Sequence, residues 1–120
     1  MRVNYAIVFV SDMTRSVAFY RDVIGLELRF ESPSWTEFAT EGATLALHLS
    51  EGAGPGAGDS RQDGPGRCRT GVSVPDIDAF HERMVAAGVP CFQVPTNVFG
   101  VRVAQYADPD GMVFSVGEGG

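Results

Sequence analysis

Val10-Ser11-Asp12-Met13 and Val74-Pro75-Asp76-Ile77 are two copies of one short pattern, 64 residues apart in the chain. Each copy ends an apolar run that is typical of a strand and precedes apolar positions at helical spacing. Asp76 is expected to cap the helix of the second copy, and either Asp12 or Thr14 can cap that of the first. Gly25 and Gly88 then stand where a helix C-terminus favours a left-handed residue. The pattern therefore predicts a duplicated strand–helix unit.

The rest of each half predicts three further strands, bounded by turn residues. In the first half the predicted strands cover residues 3–10, 26–31, 35–39 and 44–49. In the second half they cover residues 70–74, 91–94, 101–107 and 112–116. Each half therefore follows the order β-α-β-β-β, and neither could bury its sheet alone. The predicted fold class is α+β.

The chain length of 120 residues predicts a single domain, since two independent cores would need a longer chain. Within it we predict module one over residues 1–50, a linker over 51–66 and module two over 67–120. The linker holds six Gly and two Pro in 16 residues, which predicts a tether or surface loop without chemistry of its own.

Charge and composition exclude several classes of protein. The net charge is −6 and the nine basic residues are scattered, which argues against nucleic acid as a partner. No apolar run is long enough for a signal sequence or a membrane span, so we expect no membrane partner and a cytoplasmic protein. Cys68 and Cys91 lack CxxC spacing and are expected to be reduced, half-buried thiols.

Several short motifs occur in one order across almost the whole chain: Val10-Ser11-Asp12-Met13, Phe19-Tyr20-Arg21-Asp22-x-x-Gly25-Leu26, Trp35-Thr36-Glu37-Phe38, Leu45-Ala46-Leu47-His48 and Asp108-Pro109-Asp110-Gly111. In these motifs the sequence resembles the vicinal oxygen chelate superfamily, which includes glyoxalase I, extradiol dioxygenases, fosfomycin-modifying enzymes and bleomycin resistance proteins. The resemblance implies two βαβββ modules that form an open cupped barrel, with helices on the outer faces and the ligand on the concave side.

The resemblance also implies four positions at which enzymes of the superfamily place metal ligands. Carried over singly, they fall on Tyr5, His48, Arg69 and Ser115. Only His48 is a good ligand for Zn, Ni, Mn or Fe(II), and an arginine would repel the ion. We therefore expect no metal site and no cofactor, and we predict no catalytic residue.

The metal-free cup is expected to bind a ligand instead. Strand alternation directs some of the candidate ligand-binding side chains toward the concave side. Trp35 stands where resistance proteins of the superfamily place an aromatic residue over a flat ligand. Phe99 lies in a loop that could close over the ligand. Ordinary core or dimer interface is the alternative role for Trp35. The predicted ligand-binding residues are Tyr5, Phe9, Phe30, Trp35, Phe38, His48, Arg69, Ser73, Phe99 and Ser115.

These observations favour a non-catalytic protein that sequesters a hydrophobic or aromatic small molecule, an aromatic or glycopeptide antibiotic, as a self-resistance protein. The first alternative is a glyoxalase- or dioxygenase-like metalloenzyme with an atypical ligand set. A second is a metal-independent enzyme that uses His48 or Tyr5 as acid or base. The resemblance further implies a homodimer.

Overall fold

The computed structural model describes residues 3–50 and 68–119 of the chain. The predicted linker, residues 51–66, lies outside the described residues. The chain divides into two compact units, Met1–Gly58 and Asp59–Gly120. Below, module one denotes the described residues 3–50 and module two the described residues 68–119.

Module one is a four-stranded mixed sheet with one helical segment. Its strand order is β1-β4-β3-β2, in which β1 and β4 are parallel and the other neighbours antiparallel. A π-helical turn, Phe19–Ile24, continues the helix directly. The elements are β1 (Tyr5–Val10), α1 (Met13–Ala18), β2 (Glu27–Glu31), β3 (Trp35–Ala39) and β4 (Thr44–Leu49).

Module two repeats the same arrangement. Its strand order is β5-β8-β7-β6, again with one parallel pair, β5 and β8. The α+β class and the two βαβββ modules are therefore confirmed. The elements are β5 (Thr70–Val74), α2 (Ile77–Ala86), β6 (Cys91–Val98), β7 (Val101–Ala107) and β8 (Val113–Glu118).

The duplication extends to the backbone at the helix ends. Asp12 has φ −140° and ψ 103°, and Asp76 has φ −138° and ψ 99°. In each case the carboxylate accepts a hydrogen bond at 3.0 Å from the backbone N–H three residues on. Gly25 and Gly88 have φ +95° and +74°. The caps predicted from the repeated motif are confirmed.

Three predictions of local structure need correction. The first helix changes to π-helical hydrogen bonding at Phe19, which apolar spacing alone does not reveal. Strand β6 continues past residue 94 through Pro95, because β6 is an edge strand where a missing backbone N–H costs no ladder hydrogen bond. Cys68 and Cys91 are free but exposed rather than half-buried.

Each sheet packs one face against its own helix and leaves the other face open. In module one the helix-facing side is buried, and in module two the equivalent layer forms around α2. Alternation along each strand produces this division, as expected. The buried layers contain Val8, Val10, Met13, Val17, Phe38, Leu45 and Leu47 in module one, and Ile77, Phe80, Met84, Ala104, Tyr106, Phe114 and Val116 in module two.

Across residues 3–50 and 68–119, no helix combines the length and the hydropathy that crossing a membrane would require.

Candidate functional site

The open face of the module one sheet carries the chemically distinctive side chains. In the sheet, Phe9 of β1 lies opposite His48 of β4, and Trp35 of β3 lies opposite the same His48 on its other side. Tyr5 pairs with Thr44 in the same parallel ladder. Neighbouring paired residues point to one face of a sheet, so these side chains share a surface.

Four of these side chains form a continuous aromatic row: Tyr5, Trp35, His48 and Phe9. The ring centroids of Tyr5 and Trp35 are 6.2 Å apart, those of Trp35 and His48 5.9 Å, and those of Phe9 and His48 5.1 Å. Trp35 and His48 meet edge to face, at 89°. Phe9 is 61% exposed and Tyr5 45% exposed, whereas Trp35 and His48 are half-buried, so the row is solvent-accessible chiefly at its two ends.

A carboxylate lies beside this row and orders several of its members. Glu37 accepts a hydrogen bond from Trp35 Nε1 at 2.8 Å through Oε2 and another from Arg29 Nη2 at 2.8 Å through Oε1. The Tyr5 side chain hydrogen-bonds to the same carboxylate. Arg29 Nη2 also donates to Thr44 Oγ1 at 2.7 Å. We call these residues, Glu37, Arg29, Tyr5, Trp35 and Thr44, the Glu37 cluster.

The surroundings of Glu37 favour its ionised form. The indole N–H of Trp35 and then the guanidinium of Arg29 hold the pKa of the Glu37 carboxyl below its usual value, against a smaller opposing effect of desolvation. The side chain of Glu37 is 19% exposed, whereas that of Arg29 is 46% exposed. The carboxylate is therefore the more enclosed partner and fixes the orientation of the donors around it.

A cavity of about 530 Å³ adjoins the aromatic row. Tyr5, Arg29 and Thr44 belong both to its lining and to the Glu37 cluster, so the cavity and the cluster share these three side chains. Its remaining lining comes from the start of the chain and from the turn between β3 and β4. The full lining is Val3, Asn4, Tyr5, Arg29, Glu41, Gly42, Ala43 and Thr44.

The structure brings together five of the ten predicted ligand-binding residues. Phe30, which is 53% exposed, pairs with Glu37 and so lies on the same open face as the aromatic row. Phe38 does not. It is fully buried on the opposite face, with its ring 6.2 Å from that of Tyr20. Since Phe38 is three positions from Trp35 in one strand, the pleat turns it toward the helix, and we remove it from the candidate site.

The other four predicted residues belong to module two. Ser73 is exposed, and half-buried Ser115 pairs with Gly71 and Gln105 on the open face of that sheet. Arg69 is exposed and precedes β5. Phe99 is fully exposed, with φ +53°, in the turn between β6 and β7. The side chains of Ser73, Gln105 and Ser115 on this face are short or polar, unlike the rings on the open face of module one.

His81, the second histidine, has a structural contact. Its Nδ1 lies 2.8 Å from the phenol oxygen of Tyr106, which is fully buried. Burial raises the pKa of Tyr106 to about 12. The histidine therefore gives a buried hydroxyl its hydrogen-bond partner, and Tyr106 is core rather than site.

The residues at the four implied metal positions do not fit a divalent ion. His48 donates Nδ1–H to the carbonyl of Leu49 at 2.8 Å, which leaves its Nε2 as the one good ligand atom among the four positions. Tyr5 is engaged with Glu37, and arginine and serine offer no anionic or imidazole donor at the other two positions. Within the part of the chain that the structure describes, no three His, Cys, Asp or Glu side chains are grouped so as to hold a metal.

Sequence reasoning missed the two charged residues of the cluster. Glu37 stands two positions after Trp35, so strand alternation alone places both on one face. That signal was present in the Trp35-Thr36-Glu37-Phe38 motif. Arg29 could not be found in this way, because a register irregularity between Leu28 and Phe30 interrupts the alternation of β2.

Comparisons with known proteins agree with the fold. Residues 2–116 match the sequence model of the Glyoxalase/Bleomycin resistance protein/Dioxygenase superfamily. No curated protein matches the chain significantly.

Three solved structures illustrate the range of similar proteins. TnmS3, an antibiotic binding protein from Streptomyces sp. CB03234, is 27% identical with a TM-score of 0.74, covering 100% of this chain and 97% of that chain. TioX from Micromonospora sp. ML1 is 20% identical with a TM-score of 0.76, covering 98% of both chains. Lactoylglutathione lyase from Agrobacterium tumefaciens is 22% identical with a TM-score of 0.75, covering 98% and 92%. The last two show likeness of fold alone.

Proposed function

This chain belongs to the glyoxalase/bleomycin resistance protein/dioxygenase superfamily, and we propose that it sequesters a planar hydrophobic or aromatic antibiotic, without transforming it, as a self-resistance protein. The observation that carries the proposal is the solvent-facing aromatic row of Tyr5, Trp35, His48 and Phe9. The likeness to TnmS3, an antibiotic binding protein, supports the ligand class.

Stacking on this row is physically favourable because its rings are already ordered. The hydrogen bond from Trp35 Nε1 to Glu37 and the edge contact with His48 restrict the indole before a ligand arrives. An ordered aromatic surface loses little side-chain entropy on binding, and a stacked ring contributes about 0.5–1.5 kcal/mol beyond the area that it buries. Sequestration requires no more than this.

The acid–base alternative has weaker support in the same geometry. The side chain of His48 donates Nδ1–H to a backbone carbonyl, and the phenol of Tyr5 is committed to Glu37. The hydrogen bond of His48 leaves its Nε2 lone pair available, so this alternative would act through His48 rather than through Tyr5. Conversion of a bound compound into a product, detected by mass spectrometry, would favour this alternative.

Fluorescence titration tests binding directly, because Trp35 is the single tryptophan of the chain. The two probes are daunorubicin, which is planar and aromatic, and bleomycin, which is a glycopeptide. Both titrations are corrected for the inner-filter effect. Saturable quenching at micromolar concentration by either probe is the expected result. Linear, unsaturable quenching by both would contradict the proposal.

Replacement of Trp35 separates stacking from non-specific association. We expect Trp35→Ala to weaken binding of the quenching probe about tenfold, measured by calorimetry, and Trp35→Phe to weaken it less. Val85→Ala is the control, since Val85 is an exposed apolar residue of α2 that lies outside the predicted site. Equal affinities for all variants would refute stacking on Trp35.

The metalloenzyme alternative predicts that the purified protein binds a metal ion, whereas the metal-free proposal predicts that it does not. Elemental analysis of the purified protein, after incubation with Zn, Ni, Mn and Fe(II) and desalting, should give less than stoichiometric metal. A stoichiometric ion that is lost in His48→Ala would overturn the metal-free proposal.

We also propose that the protein is a homodimer. Edge strand β6 exposes Phe92, Val94 and Val98, and among the described strands it pairs on one side only, with β7. An exposed apolar edge strand is a surface that a second copy can cover by symmetric pairing.

A further inference from the structure

Arg29 uses one nitrogen of its guanidinium for both of its hydrogen bonds. Nη2 donates to Glu37 Oε1 at 2.8 Å and to Thr44 Oγ1 at 2.7 Å. A guanidinium has five N–H groups, so the one on Nε and the two on Nη1 remain. Among residues 3–50 and 68–119 these three groups have no hydrogen-bond partner. They belong to a side chain that lines the cavity and is 46% exposed.

The charges around the cavity do not favour an anion. The positive charge of Arg29 is already compensated by Glu37, whose oxygen lies 2.8 Å away. Glu41 adds a second carboxylate to the lining of the same cavity. The local sum is therefore one negative charge, which would repel a carboxylate or phosphate. A neutral oxygen, by contrast, accepts a hydrogen bond from a guanidinium without that repulsion.

We propose that the cavity is a polar subsite in which Arg29 donates to a neutral oxygen, a ketone or quinone carbonyl, of a ligand whose aromatic ring lies on the aromatic row. The inference rests on the proposed function and adds the chemical class of the ligand. Tyr5 makes the two surfaces continuous, because it lines the cavity and its ring lies 6.2 Å from that of Trp35.

Glu37 is the positioning residue of this subsite. Its two carboxylate oxygens hold the indole on one side and the guanidinium on the other, so one side chain sets the distance between the ring surface and the hydrogen-bond donors. A rigid spacing of this kind selects ligands whose carbonyl stands at a fixed distance from the stacked ring.

Nuclear magnetic resonance provides a specific readout, because a single indole N–H cross-peak reports Trp35. The probes are 2-acetylnaphthalene, which has a ketone, 2-isopropylnaphthalene, which has nearly the same shape without one, and 2-naphthoate, which is an anion. The quantity compared between proteins is the ratio of the ketone and hydrocarbon dissociation constants, so that the hydrophobicity of each probe cancels.

Arg29→Met removes the donors and keeps an apolar stem. We expect the ratio to shift about fivefold against the ketone in this variant, as for the loss of one partly exposed hydrogen bond to a charged donor. Arg29→Lys keeps the charge without the planar fork and should shift the ratio in the same direction. Arg21→Met is the matched control, since Arg21 is an exposed arginine that forms an ion pair with Asp22 beside it, and it should leave the ratio unchanged.

Glu37→Gln tests positioning, with Glu31→Gln on the same sheet as its control. Glu37→Gln should shift the ratio against the ketone and move the indole cross-peak of the free protein, whereas Glu31→Gln should do neither. In wild type, 2-naphthoate should bind more weakly than 2-acetylnaphthalene.

The outcomes separate this inference from the proposed function. If no probe moves the indole cross-peak, the proposed aromatic binding itself fails. If the probes bind but the ratio is the same in wild type, Arg29→Met and Arg29→Lys, the carbonyl subsite is wrong while aromatic binding stands. Tighter binding of 2-naphthoate than of the ketone would overturn the assignment of a neutral acceptor.

Discussion

Glu37 shows how much a single side chain organises on an open sheet. It is charged, it lies between two aromatic residues and an arginine, and it is the least exposed member of its ion pair. A carboxylate with several donors is stabilised in its ionised form, and protonation would weaken each of those hydrogen bonds. Its charge state therefore affects both stability and the order of the aromatic row.

The lowered pKa of Glu37 makes a testable contribution to the pH dependence of stability. Because its pKa in the folded protein is below the reference value of 4.5, its stabilising effect is present above that value and is lost as the pH falls through the folded pKa. We expect the melting temperature of Glu37→Gln to fall less steeply than that of wild type below about pH 4.5. Circular dichroism melts between pH 3 and pH 7 would measure this.

Glu31→Gln is the control for that experiment, because Glu31 is exposed on β2. Its melting profile should follow wild type across the range. Parallel profiles for wild type and Glu37→Gln would contradict the role given to Glu37.

At the scale of elements, the two modules use the same cap for helices of different length. Asp12 begins a helix of 6 residues that continues into a π-helical turn, whereas Asp76 begins a helix of 10 residues. The cap geometries are nearly the same, so the duplication has kept the start of each helix while its continuation diverged. A π-helical turn is a local insertion into a helix, and a short motif does not specify it.

Removal of either cap should destabilise the protein by a similar amount. We expect Asp12→Ala and Asp76→Ala each to lower the free energy of unfolding by about 1 kcal/mol, because each leaves a backbone N–H without its acceptor. Urea unfolding would measure both. Glu82→Ala, an exposed change within α2, is the control and should stay within about 0.5 kcal/mol of wild type. Unchanged stability in both cap variants would refute equivalent capping.

The contact between α2 and β7 gives a second prediction at this scale. His81→Ala leaves the buried hydroxyl of Tyr106 without its partner, and we expect a loss of about 1–3 kcal/mol. Tyr106→Phe removes the hydroxyl as well as the hydrogen bond and should cost less. In the double variant, His81→Ala should add little to Tyr106→Phe. Additive losses in chemical unfolding would show that the hydrogen bond is not the cause.

At the scale of the whole molecule, the two modules share one backbone arrangement but carry different side chains on their open faces. The open face of module one carries rings and charges, and that of module two carries Gly71, Ser73, Gln105 and Ser115. The same strand order and the same caps therefore support different side chains at equivalent positions. Fold alone does not assign function within such a superfamily.

The proposed homodimer is tested at this scale by sedimentation velocity. We expect wild type to sediment at twice the mass of one chain, and Phe92→Glu with Val94→Glu to shift the population toward monomer, because charge on an edge strand opposes pairing. Val85→Glu, an equally exposed apolar position on α2, is the control. A wild-type monomer at micromolar concentration would contradict the dimer.

The sequence by itself determined the duplicated modules, the positions of the caps and most strand boundaries, because these depend on residues close together in the chain. Alternation along β1 and β4 also directed Tyr5, Phe9 and His48 toward the ligand side, whereas Trp35 was assigned to the site by the resemblance. Phe38 was misplaced although the same rule, applied from Trp35, directs it into the core.

Only the tertiary structure decided the Glu37 cluster. Arg29 and Glu37 come from neighbouring antiparallel strands, and Thr44 from the next strand across the sheet. Their meeting depends on hydrogen-bond register between strands and on the irregularity between Leu28 and Phe30. Register results from packing and pairing across the whole sheet, so no local pattern of residues specifies which charges will face one another.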